Sequence, residues 1–100
     1  MTIQETLKST GLPCAYSHFL KKGTKPPYLV YLGDGQNVFD ADNTHYWRKN
    51  TYQVEYYFTT KDESKETAIE NALLENGFLY EKSEDVFIEE ENVFVIYYNI

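Results

Sequence analysis

The chain has 100 residues, enough for a single domain, and its 16 acidic against 9 basic residues give a formal net charge of −7. That field repels phosphate and disfavours tight nucleic-acid binding, and no apolar run approaches the ~20 residues a membrane span requires. Cys14 is the one cysteine, so no intrachain disulfide and no thiolate metal cluster can form.

Residues 1–5 lack the basic start and apolar core of a signal peptide, so a cytosolic setting is expected. Residues 2–10 read as a short helix. Ile3 and Leu7 are four apart, Gly11 supplies a left-handed stop, and Pro13 follows where a helix cannot continue. Residues 14–20 are a candidate strand that includes His18 and Phe19. The connector KKGTKPP carries Lys21, Lys22 and Lys25 without interleaved aromatics, and it reads as a solvated loop. It leads into PYLVYLG, an apolar run expected as a central strand.

A polar stretch, residues 34–45, is expected as a loop. The clearest strand comes next, from about Trp47 to Thr59, where Tyr52, Val54, Tyr56 and Phe58 alternate with more polar positions. A second helix follows. Residues 60–63 have capping-box spacing, and Asp62 is an equally good cap. Ala68, Ile69, Ala72 and Leu73 recur at helical spacing, and Asn76-Gly77 ends the segment. The remainder reads as strands: FLYEKS, VFIEE, an acidic turn, then NVFVIYYNI, which is apolar on both faces. Such a run is either central in the sheet or covered by another chain.

The order α-β-β-β-α-β-β predicts an α+β fold, with an antiparallel or mixed sheet of about four to five strands and two helices. Ten tyrosines, six phenylalanines and one tryptophan suit strand surfaces and protein interfaces.

Five chemical readings can be tested on residue types. Gly33-Asp34-Gly35 begins like a dinucleotide fingerprint, but the third glycine position is Val38 and no helical pattern follows. Asp40-Ala41-Asp42 begins like a calcium loop, but the sixth position is His45, where glycine is needed. The twelfth is Thr51, where a bidentate glutamate is needed. His18 and His45 have no histidine partner at zinc-ligand spacing, and nothing near Cys14 in sequence would activate its thiol. Glu81, Glu84, Asp85, Glu89, Glu90 and Glu91 flank short strands and a turn, so a solvated rim is expected there. No catalytic, cofactor or metal residues emerge, and the expectation is that the protein is not an enzyme.

The residues without chemistry carry a resemblance. It runs from the opening helix with its stop Gly11-Leu12-Pro13 to the carboxyl end. Its most characteristic piece is Ala41-Asp42-Asn43 followed by Tyr46, then Tyr52-x-Val54-Glu55-x-Tyr57. The helix ending Asn76-Gly77-Phe78 and the Glu89-x-Glu91 turn complete it. This pattern resembles small head–tail joining proteins, of the tail-terminator or tail-completion kind, in tailed bacteriophages and prophages of Gram-positive hosts. Its element order is similar to that of the lambda-type tail terminators.

The resemblance implies a structural virion-assembly protein that forms an oligomeric ring, usually hexameric, capping the tail tube and joining it to the head. Its partners would be copies of itself, tail-tube and neck proteins, and DNA passing through an acidic lumen without specific binding. It would reside in the bacterial host cytoplasm during assembly and then at the virion head–tail junction, with no membrane and no cofactor. On this reading Val38, Phe39, Asp40, Asp42, Asn43 and Tyr46 form an assembly interface. Alternatives are another neck or minor tail structural protein, an acidic inhibitor that mimics DNA, or a small magnesium-dependent enzyme using the acidic cluster.

Overall fold

The computed structural model describes residues 2–17, 25–41 and 45–100, with the side chains of 37–41 and 45–50 outside that description. His18, Phe19, Lys21 and Lys22 therefore lie outside the described residues, as does the second half of the strand expected over 14–20.

Helix α1 covers Ile3–Lys8 and opens with a capping box that the sequence reading did not single out. The Thr2 hydroxyl accepts from the Glu5 amide, and the Thr2 amide donates to the Glu5 carboxylate, each at 3.2 Å. Strand β1 is Cys14–Tyr16, β2 is Tyr28–Ala41 and β3 is His45–Phe58. Helix α2, Glu63–Glu75, takes Asp62 as its cap rather than Thr60, and the Asp62 carboxylate accepts from the Ser64 amide at 3.0 Å. Gly77 beyond its end has φ +82°, the left-handed conformation that glycine adopts without steric cost.

Strands β4 (Glu81–Lys82), β5 (Val86–Ile88) and β6 (Val93–Asn99) complete the fold. The result is α+β, with a six-stranded mixed sheet in the order β1-β2-β3-β6-β4 and β5 also paired to β6. The β1–β2 pair is parallel and the others are antiparallel. Three strands follow α2, within the three runs FLYEKS, VFIEE and NVFVIYYNI and one more than the order α-β-β-β-α-β-β counts, because the edge beside β6 is interrupted between Lys82 and Val86.

Ser83 bridges that interruption. Its amide donates to the Tyr97 carbonyl at 2.8 Å, and its hydroxyl accepts from the Tyr97 amide at 2.9 Å. The same hydroxyl donates to the Glu84 carbonyl at 2.8 Å.

Both helices and one sheet face share a core. Leu29 and Tyr31 of β2, Val54, Tyr56 and Phe58 of β3, and Ile96 and Tyr98 of β6 meet Ile3, Leu7, Ile69 and Leu73 there. The strand register explains this set. Leu29 stands opposite Tyr56, which stands opposite Ile96, and Tyr31 opposite Val54, which stands opposite Tyr98. Tyr56, Phe58 and Phe94 stack in series, at 5.2 and 5.4 Å between ring centroids. Val30, Val93 and Val95, of opposite parity, are buried as well. The run 92–100 is thus apolar on both faces because β6 is interior to the sheet, between β3 and β4–β5.

The helical face is narrower than the sequence pattern suggested. Ile69 and Leu73 are fully buried, whereas Ala68 is exposed and Ala72 half-buried. Leu73→Ala is expected to cost about 2–5 kcal/mol in denaturant unfolding, as large-to-small changes in packed cores do.

Candidate functional site

The stretch expected as a loop over 34–45 is mostly strand. β2 and β3 stay in antiparallel register from Tyr28 opposite Tyr57 out to Ala41 opposite His45, with one irregularity between Gly33 and Gln36. Gly35 takes φ +98° there, and the segment between Gly33 and Gln36 accommodates a shift of register where a loop was expected to begin. The residues beyond have the composition of strands: Val38, Phe39, Tyr46, Trp47 and Thr51 all favour extended backbone. Reading their Asp and Asn neighbours as turn formers obscured this.

Among the described residues, outer β3 is paired on one side only. β6 runs beside β3 from Phe58 to Gln53, and Ile100 exchanges two backbone bonds with Tyr52, at 3.1 and 3.0 Å. From Thr51 to His45, no strand pairs with that edge of β3 among the described residues. The outer halves of β2 and β3 therefore form a two-stranded arm. The interface residues expected from sequence fall on it. Val38 stands opposite Arg48, Phe39 opposite Trp47, and Asp40 opposite Tyr46. Asp42 and Asn43 lie outside the described residues.

At the base of the arm is a groove of about 560 Å³, lined by Asp34, Thr51, Leu79, Glu81, Asn99 and Ile100 among others. Leu79 is 74% exposed there. The arm also disposes of the calcium reading on geometric grounds. A calcium loop beginning at Asp40 would have to wrap residues 40–51 around one ion. Here 45–51 belong to a strand whose 45–50 portion pairs back along 41–36. Among the described residues no group of three His, Cys, Asp or Glu side chains is placed to hold a metal. Cys14 is half-buried, and burial pushes its thiol pKa up, opposite to the activation a nucleophile needs.

The acidic residues 81, 84, 85 and 89–91 are all exposed, as a solvated rim should be. The electrostatic centre lies elsewhere, on α2. Glu66 is buried, with its carboxylate 2.8 Å from the Lys61 ammonium and 3.0 Å from that of Lys82. Lys82 also reaches Glu70 at 2.9 Å, and Lys61 reaches Asp85 at 3.0 Å. The Tyr98 and Tyr80 hydroxyls donate to Glu70 at 2.8 and 3.2 Å.

This cluster clamps the β4–β5 edge to α2, and the sequence reading missed it. Its signal was present. Positions 66, 69, 70 and 73 form one helical stripe, and two of the four are acidic. A carboxylate on a buried stripe needs a cation or donors brought to it by the fold. Its ion pairs and hydrogen bonds tie β4 and the segment after it to the helix, and Tyr80 of the same network also lines the groove at the base of the arm.

No protein-family model matches the chain, and no curated protein matches its sequence.

Burial alone would push the Glu70 carboxyl up, but Lys82 and the two tyrosine hydroxyls outweigh it and hold it below its ordinary value. Burial opposes the charge on Lys82 as well, and there Glu70 and Glu66 outweigh it and raise the ammonium. The Glu70 contribution to stability is thus present above the unfolded carboxylate pKa of about 4.3 and lost as pH falls through the lower folded value. The Lys82 contribution is present below about pH 10.4 and lost as pH rises through the higher folded value. Lys82→Met is expected to cost about 1–3 kcal/mol at pH 7, the usual cost of removing a charged partner. That cost should shrink as pH falls below about 4.3 and Glu70 is protonated, first in the unfolded chain and then, through its lower value, in the folded one.

Proposed function

We propose that the protein is a structural, non-catalytic component of the head–tail joint of a tailed phage, of the tail-terminator kind, working by ring assembly. The observation that carries this reading is the arm. An extended two-stranded ribbon stands beyond the main sheet, and one edge of β3 lacks a strand partner among the described residues. Unpaired backbone on a strand edge is a ready template for a neighbouring chain. Of the residues that carry the resemblance, Ala41 and Tyr46 lie on this arm.

Charge supports the same reading. A net charge of −7 suits a ring whose lumen lets DNA slide without holding it. On this reading the partners are further copies of the chain, then tail-tube and neck proteins. The setting is the host cytoplasm during assembly and the head–tail junction afterwards.

Electron microscopy of the purified protein, alone and with tail tubes, tests the proposal directly. Rings or capped tubes are expected, and dispersed particles that leave tube ends bare would reject it. The assembly reading places Phe39 against a neighbouring subunit and not in the core of its own. Phe39→Asp should therefore leave subunit stability within about 0.5 kcal/mol, as surface substitutions usually do, while abolishing ring formation and rescue of a terminator-defective phage. Unfolding of the subunit by this change would make Phe39 an ordinary core residue.

A further inference from the structure

The main-chain edge of outer β3 and the outer edge of β4–β5 look toward the same side of the sheet. This follows from the strand order, because β6 and then β4–β5 lie to one side of β3. β4 and β5 are both antiparallel to β6, as β3 is, so they run in the same direction as β3. Where β6 stops at Ile100, a notch opens between the arm and Leu79–Glu81, and the groove described above occupies it. The outline is that of a broad body with an arm rising from one side.

A second copy turned by half a rotation about an axis through the notch, normal to the sheet, fills that outline. The turn reverses strand direction, so the arm of each copy lies antiparallel to the β4–β5 edge of the other. The lengths agree on the β5 side of the one-residue shift between Lys82 and Val86: residues 45–49 of the arm face residues 84–88 of the edge.

The charges agree as well. Outer β3 carries Arg48 and Lys49 and no acid, whereas residues 81–88 carry Glu81, Glu84 and Asp85 against Lys82 alone. With Arg48 opposite the partner subunit's Asp85, Lys49 falls opposite the partner subunit's Glu84. Trp47 and Tyr46 then fall opposite the partner's Val86 and the partner's Phe87. Those two adjacent apolar side chains are 37% and 46% exposed in the single chain. The competing symmetric pairings are disfavoured. An arm against an arm sets Arg48 and Lys49 against their own copies, and an edge against an edge sets acid against acid.

We infer that two copies of this chain form an isologous dimer, the outer half of β3 in each pairing with the β4–β5 edge of the other. The dimer takes up the same edge of β3 that the tail reading offers to a neighbour, so the two agree only where a ring is built from such dimers through other surfaces; a ring of single copies joined head to tail through this edge would overturn the dimer and leave the tail reading standing.

Light scattering and sedimentation decide it. The wild-type chain should run at twice 11.8 kDa, or at an even multiple of it where dimers assemble further, and high salt should weaken the association. Arg48→Glu with Lys49→Glu should give a monomer, and so should Glu84→Lys with Asp85→Lys. Mixing the two monomeric variants should restore a dimer, because each reversed surface then meets a surface of opposite sign and the remaining pair is native. A wild-type monomer, dimerisation unaffected by either reversal, or folded variants that stay monomeric when mixed would each overturn the inference. Should a reversed variant fail to fold, a cysteine pair decides instead. In a Cys14→Ser background, Arg48→Cys together with Asp85→Cys should give a disulfide-linked dimer through 48–85 bonds. Linkage through 48–48, or none, would reject the pairing.

Discussion

The fold turns on the unequal pairing of one strand. β3 is joined to β2 from end to end apart from a single irregularity, but β6 accompanies it only along its inner half. Backbone donors and acceptors must find partners somewhere, in the protein or in water. Along the inner half they find them within the sheet, and the side chains of that half belong to the core with α1 and α2. Along the outer half, one row of main-chain groups has no strand beside it among the described residues. Body and arm are two states of the same strand, distinguished by whether a neighbour is present.

The acidic surplus is distributed in two different environments. Glu66 and Glu70 lie on the stripe of α2 that also supplies Ile69 and Leu73 to the core, and two lysines neutralise them there. Carboxylates in that position are tolerable only with such partners. The acids of 81–91 have only one close cation described, Lys61 beside Asp85. They remain in water, where like charges along an exposed strand also discourage indiscriminate edge-to-edge association. The inner set ties the edge strand to the helix, and the outer set shapes what that edge accepts.

Much of this was legible in the sequence. The period of alternation in 52–58 located the inner half of β3, and the spacing of Ile69 and Leu73 located α2, because burial of one face imposes those periods. The two-sided apolarity of 93–98 located an interior strand. The arm was illegible as strand because Asp34, Gly35, Asp40 and Asn43 carry turn chemistry. In this hairpin, long-range register overrides such local preference. The clamp was hidden for a different reason. Lys61 and Lys82 flank α2 in sequence and meet at Glu66 only once the chain has returned from β3 and gone on to β4.

Ser83 decides how that returning edge is held. An apolar pattern cannot fix the register of residues 81–88 on β6, since a slide by two residues keeps every side chain on its face. A hydroxyl that accepts from the Tyr97 amide while donating to the Glu84 carbonyl can do so. Sliding the strand would bring Glu81 or Asp85 to that place. Either carboxylate could accept from the amide, but neither has a proton to give, and Lys82 would be drawn away from Glu66 and Glu70. The alignment of this edge is written in donor–acceptor chemistry at a single position, where most strands write theirs in hydrophobicity.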